Sequence, residues 1–178
     1  MVKTMRNNKK NKRIVFIKSG VFSVFIFLFL ATFSDAASLS FETNKNISLG
    51  ERITVDVLID PEGQSINSVS SSIYFPDESL SFAGFSSSEG SINVWVDKPS
   101  QKRPGEVSFS GVIPGGIERM YDPINTKKFD IPLVRLFFIS KKEGLVSLSL
   151  NNSIVLKNDG KGTPVNVSED NISILISK

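Results

Sequence analysis

The side chains that most often do chemistry near neutral pH are missing from this sequence: its 178 residues include no His and no Cys. Without His there is no Ser-His-Asp arrangement and no imidazole acid or base. Without Cys there is no thiolate nucleophile and no disulfide, and with both absent the usual zinc ligand sets are out of reach. Carboxylates remain. Asp56 and Asp60 fall in or just after one extended run and share a face by parity, and Glu169-Asp170 precede the last apolar run. Two carboxylates across a cleft can hydrolyse a glycosidic bond, but nothing in the sequence ties either pair to a cleft. Asp159-Gly160-Lys161-Gly162 reads as a tight turn; a calcium loop stays open, although the further acidic residues of an EF-hand are missing. Gly111–Gly116 (GVIPGG) lacks the Lys-Ser/Thr of a phosphate loop and fits a strand running into a turn. No cofactor and no metal is expected.

The elements that position these residues are extended. After residue 36 the apolar residues recur with period two, and no stretch has a helical period. The alternation predicts strands at Ser38–Thr43, Arg52–Ile59, Asn67–Phe75, Leu80–Phe85, Ile92–Val96, Glu106–Val112, Leu133–Ile139, Leu145–Leu150, Ile154–Leu156 and Asn171–Ile176. Gly and Pro punctuate them at Leu49-Gly50, Pro61-Glu62-Gly63, Pro76-Asp77, Glu89-Gly90, Pro104-Gly105, Pro114-Gly115-Gly116, Glu143-Gly144 and Asn158-Asp159-Gly160. Short strands at near-regular spacing argue for an all-β antiparallel sandwich or barrel. Parity turns Val69, Ser71, Ile73 and Phe75 inward with Val107, Phe109, Val146, Leu148 and Leu150. It turns Ser68, Ser70, Ser72, Tyr74, Ser108, Ser110, Ser147 and Ser149 outward. Leu133–Ile139 is almost continuously apolar, as a central strand would be. Ile117–Asp130 fits no period and reads as a long loop, a common place for specificity.

Trp95 is the single Trp. Strand parity sets Ile92, Val94 and Val96 on one face and Asn93 and Trp95 on the other, outward. An outward Trp could anchor a protein partner or stack on a sugar ring; a loop such as the one after Val112 could equally cover it.

Charge divides the chain. Seven of the 21 basic residues precede residue 19, and Asp35 is the only acidic residue before residue 37. From Ala37 onward 17 acidic residues face 14 basic ones, which gives no phosphate-binding footprint and no nucleic-acid partner. The basic start runs into an apolar stretch that ends at Ser34-Asp35-Ala36, a small-x-small sequence, so residues 1–36 have the order of a secretory signal. The expectation is cleavage before Ala37 and a secreted or extracytoplasmic domain over 37–178. The alternative is a retained anchor, with membrane contact only through residues 14–33.

The ordered features from Leu39 to Ile176 resemble the cohesin domain. LSFETNKNISLGERITVDVLID is similar to that family's opening strand, Gly turn and second strand. INSVSSSIYFPDESLSFAGF follows, with Phe75-Pro76-Asp77 where the family has Tyr-Asp-Pro. GEVSFSGVIPGG, then LVRLFFISKKEGLVSLSLNNSIVLKNDGKGTPV, then NISILI complete the order. The resemblance implies a jelly-roll β-sandwich of about nine strands, related in fold to cellulose-binding modules. It implies a non-catalytic module for protein adhesion or scaffolding, with a dockerin-like, calcium-dependent partner. It also implies a binding sheet made of the matching strands three, five, six and eight. Carried onto this sequence, that surface comprises Ser70, Ser72, Tyr74, Asn93, Trp95, Ser108, Ser110, Ser147 and Ser149. Polysaccharide binding and a structural place in a cell-surface assembly stay open as alternatives.

Overall fold

The computed structural model describes residues 36–118 and 130–178. They form eleven strands: β1 Ala36–Thr43, β2 Asn46–Ser48, β3 Arg52–Asp60, β4 Ile66–Tyr74, β5 Leu80–Ser86, β6 Val94–Arg103, β7 Glu106–Ile117, β8 Ile131–Ser140, β9 Gly144–Lys157, β10 Pro164–Glu169 and β11 Asn171–Ser177. Two layers pack face to face. One orders β5-β8-β3-β1 and the other β6-β7-β4-β9, with β10 joining β1 to β9. All pairings are antiparallel except two at the chain's ends: β1 runs parallel to β10, and β2 runs parallel to β11. The first strand breaks after Thr43 and the last after Glu169, so each lends one half to either layer. A plan of about nine strands thereby becomes eleven.

Alternation built the core. Val69, Ile73, Phe75, Val107, Phe109, Val146, Leu148 and Leu150 are buried, as parity requires. Ser71 is buried with them, and its hydroxyl is satisfied by that of Ser153 at 2.8 Å. Phe138 of β8 holds the middle, with its ring edge-on to Phe75 (centroids 5.1 Å apart) and Phe82 (5.7 Å). The apolar run of β8 lies between β3 and β5, one strand in from the sheet edge.

Several predicted limits moved. Leu145–Leu150 and Ile154–Leu156 are one strand, β9, interrupted by a bulge at which Asn152 takes a left-handed backbone (φ 56°). Pro114-Gly115-Gly116, read as a breaker, lies within β7; the irregularity is a register shift opposite Ile66–Ser68, with both Gly residues at positive φ. β2 and β10 went unpredicted because they are short: β2 is held by β11, and β10 by β1 and a two-pair ladder to β9. β6 starts at Val94 rather than Ile92 and continues through the polar stretch to Arg103, held by β7 across a tight hairpin. Gly105 makes that hairpin possible: its φ is 75°, and a Cβ there would come within 2.7 Å of the Phe75 carbonyl oxygen. Of the loop expected over Ile117–Asp130, residues 119–129 lie outside the described residues, as does the segment before residue 36.

A candidate protein-binding face

The outer face of β6-β7-β4-β9 is laid out in transverse rows by strand register. Val94, Val112, Ser68 and Leu156 form one row. Asp97, Ser110, Ser70 and Ile154 form the next, followed by Ser100, Ser108, Ser72 and Asn151. Arg103, Glu106, Tyr74, Ser149 and Asn171 form the fourth. Ser147 pairs with Ser173 beyond that row, their hydroxyls 3.2 Å apart, and Leu145 pairs with Leu175 beyond them. Cross-strand neighbours on one face stand about 5 Å apart, so each row is a contiguous strip. Ser70, Ser72, Tyr74, Ser108, Ser110, Ser147 and Ser149 therefore share one surface, as parity placed them.

Trp95 does not join them. It pairs with Gly111, whose neighbours Val107, Phe109 and Ile113 on β7 all point inward. Its ring packs edge-on against Phe85 of β5 (5.6 Å) and Phe109 of β7 (6.3 Å), closing the gap between the two layers at their open edge. The expected orientation is inverted because the strand begins only at Val94, so alternation counted from Ile92 carried the wrong phase. Ile92 is buried nonetheless: it fills the space over Gly111, where a Cβ would lie 2.2 Å from it. Asn93 is exposed but precedes β6 and stands outside the rows.

The inversion exposes what the sequence reading had buried. Val94 is outward, and Val96, the extra residue where the register slips between Trp95 and Asp97, is 73% exposed. With Ile154 and the pair Leu145 (71% exposed) and Leu175 they put bare aliphatic groups at both ends of the serine field. One sequence signal could have set the phase: Gly111 interrupts the inward-facing residues of β7, so its neighbour strand has room there for a large ring.

The fourth row is a polar knot. The Tyr74 hydroxyl donates to Glu106 Oε1 (3.2 Å) and accepts from Arg103 Nη2 (3.4 Å) and Asn152 Nδ2 (3.5 Å). Arg103 also pairs with Glu106 and lies 5.9 Å from the centre of the Tyr74 ring. Burial pushes the Glu106 carboxyl up, but hydrogen bonds from Arg103 and Ser72, the Arg103 charge and Tyr74 outweigh it, and the net shift is downward. A carboxylate held anionic in this way is a weak base for a serine hydroxyl. What the face offers is hydrogen bonding and exclusion of water.

The other acidic residues are engaged elsewhere. Asp56 accepts two hydrogen bonds from Arg135, Nε at 2.7 Å and Nη2 at 2.9 Å, and Arg135 also reaches Glu89 at 2.6 Å. Asp60 is buried and accepts from the Glu62 amide at 3.0 Å. Glu169 accepts from the Ser153 amide (2.8 Å), bracing the β9 bulge from behind. Asp159 caps its own turn: Oδ1 accepts from the amides of Lys161 (2.8 Å) and Gly162 (3.0 Å), and Oδ2 takes the Thr163 hydroxyl. The Thr163 hydroxyl and then these amides lower its pKa to about 2. Among the described residues no cluster of three acidic groups is placed to hold a metal ion.

No protein-family model and no curated protein matches the chain. Solved structures do. A cohesin module from a Clostridium perfringens family 33 glycoside hydrolase superposes with a TM-score of 0.64 at 17% identity, covering 79% of this chain and 96% of its own. The sixth cohesin of Acetivibrio cellulolyticus scaffoldin B, solved in complex with a Cel5 dockerin, gives 0.60 at 13% identity, covering 80% and 99%. The third ScaB cohesin of R. flavefaciens, in complex with a group 1 dockerin, gives 0.53 at 14% identity, covering 84% and 99%. Identities this low speak of architecture, and the architecture that the residues from Ala36 onward share with these modules is the cohesin fold.

Proposed function

We propose that the chain is a non-catalytic, extracytoplasmic binding module that holds a protein partner against the outer face of β6-β7-β4-β9. One observation carries this. Among the described residues six large apolar side chains are exposed: Leu49, Val94, Val96, Leu145, Ile154 and Leu175. Five of them belong to this layer and its β11 extension, Leu49 lies in the turn after β2 with its amide on the Ser177 carbonyl of β11, and none stands on the outer face of β5-β8-β3-β1. Exposed aliphatic groups around a field of small hydroxyls suit a protein interface, with apolar anchors and adaptable hydrogen bonds between them. The fold-mates solved with a dockerin on them make a dockerin-like module the partner of choice. Calcium dependence would then reside in the partner.

The alternatives find less support. A sugar platform needs an exposed flat ring, but the Trp95 ring packs between the layers and Arg103 stands over Tyr74. Pairing of sheet edges in a surface assembly needs an open edge. Three register shifts and Pro99 break the ladder along β6, a guard against such pairing.

The test is retention. Residues 36–178, which contain the whole described core, are immobilised and exposed to secreted and envelope proteins of the source cell, with calcium and then with chelator. A protein held by the native face but not by a Val94→Asp/Ile154→Asp variant is the expected result, with loss in chelator identifying a dockerin-like partner. Retention of insoluble polysaccharide instead of protein would overturn the proposal.

A further inference from the structure

β9 changes phase in its middle. Val146, Leu148 and Leu150 point into the core, so plain alternation would put Ile154 inside and Val155 outside. The structure has the reverse: Val155 is fully buried, and Ile154 is 56% exposed on the outer face. The switch is made at one place. On β4, Ser70 pairs with Ile154 and Ser72 with Asn151, so Asn152 and Ser153 together stand opposite the single residue Ser71. A bulge of this kind breaks the ladder locally, and its backbone groups need other partners. Ser153 has two. Its amide donates to Glu169 Oε1 at 2.8 Å, and its hydroxyl lies 2.8 Å from that of Ser71. Ser71 is 4% exposed among the inward side chains of β4, and Glu169 comes from β10, where it pairs with Leu39 of β1.

We infer that Glu169 and Ser71 are positioning residues for the binding face: they fix the β9 bulge, and so decide that Ile154 rather than Val155 is presented to the partner. The hydrophobic pattern does not make that choice. Ile154, Val155 and Leu156 are all apolar, and a one-residue slip would exchange the faces of every side chain beyond it at little cost in burial. A polar hold on the bulge is what separates the two phases. The same hold sets Asn152 in its left-handed backbone, from which its side chain reaches the Tyr74 hydroxyl in the fourth row. It also gives Ser71 a task that its place among Val69, Ile73 and Phe75 does not otherwise explain. The consequence for binding rests on the function proposed above, whereas the register itself can be read without a partner.

The chain has no Cys, so a single introduced thiol reports which way its position faces. Ile154→Cys and Val155→Cys are each made in the full chain, held in mild detergent, and labelled with a maleimide; thermal melts confirm that every chain is folded. A buried thiol reacts only when the strand opens, so with Glu169 and Ser71 in place Ile154→Cys should label at least about a hundredfold faster than Val155→Cys. With Glu169→Ala and Ser71→Ala added, that ratio should fall below about tenfold. Glu169→Gln alone, whose amide oxygen still accepts from Ser153, should keep it. A ratio unchanged by the double Ala substitution overturns the inference. Should that chain fail to fold, hydrogen exchange on the native chain decides: the Ser153 amide should exchange as slowly as that of Val155, and exchange at the unprotected rate overturns the inference. A collapsed ratio with partner retention intact would instead count against the proposed binding face and leave the register assignment standing.

Discussion

The two outer faces of the sandwich are made from the same alternation and end with opposite characters. On β5-β8-β3-β1 the outward groups neutralise one another. Arg135 grips Asp56 and Glu89, and Arg52 lies 4.3 Å from the centre of the Phe137 ring. Long side chains are tied down there, and their stems cover the apolar surface beneath. On β6-β7-β4-β9 the commonest outward residue is serine, too short to cover anything, and aliphatic groups such as Val94 and Ile154 beside the serines stay bare. The lesson is that a strand's outward positions are not surface by default. What is planted there decides whether the face is sealed or left available.

The largest expected effect sharpens where that contrast stops. Trp95 belongs to neither outer face, so Trp95→Ala should destabilise the domain by about 3 kcal/mol through the space left between Phe85 and Phe109, while the folded fraction keeps its partner affinity. Urea unfolding followed by a binding titration reads both. Lost affinity at unchanged stability would return the ring to the binding face and break the comparison.

Next comes the open face itself. Val94→Asp with Ile154→Asp should weaken partner retention about thirtyfold, the equivalent of ~2 kcal/mol. A charge reversal on the sealed face, Glu42→Lys, should alter it by less than about twofold. Equal losses from both changes would mean that the partner does not distinguish the faces. The complementary change, Arg135→Met, strips the two hydrogen bonds from Asp56. It should lower the urea midpoint and leave retention unchanged, because that ion pair seals its face and touches no partner.

The smallest effect is a pH dependence away from both faces. The Asp159 pKa is lowered to about 2, chiefly by the Thr163 hydroxyl and then by the turn amides. A depressed carboxyl stabilises the fold above its unfolded value of about 4 and loses that contribution as pH falls towards 2. Asp159→Ala should therefore be less stable than the native chain at pH 5, with the gap closing by pH 2. A gap that persisted at pH 2 would mean that the turn is held by something other than the ionised carboxylate.

Much of this was legible before the coordinates. Val69, Ile73, Val107, Phe109, Val146 and Leu148 could be assigned to the core, and Ser70, Ser72, Ser108 and Ser110 to one outer surface, because side-chain direction in a strand has a strict period of two. That is a covalent property of an extended backbone, and it needs no partner strand. Where it failed, at Trp95, the phase had been set by Ile92, two residues before β6 begins. No local signal marked the start of β6, whose first residues are held by β7 rather than by their own propensity. The bulge that lifts Asn152 towards Tyr74 was likewise invisible, since a bulge is a mismatch between two strands and cannot be written in one of them.

By itself, then, the sequence determined an all-β sandwich without His or Cys chemistry, the inward residues of β4, β7 and the first half of β9, and the serines of one outer surface. Only the tertiary structure decided that Trp95 closes the layers from inside, that Val94, Val96 and Ile154 stand bare beside the serines, and that Ala37 of β1 pairs with Val167 of β10. The physical reason is the same in each case. Periodicity is a property of the chain, whereas register and closure are relations between segments, and they exist only when those segments meet.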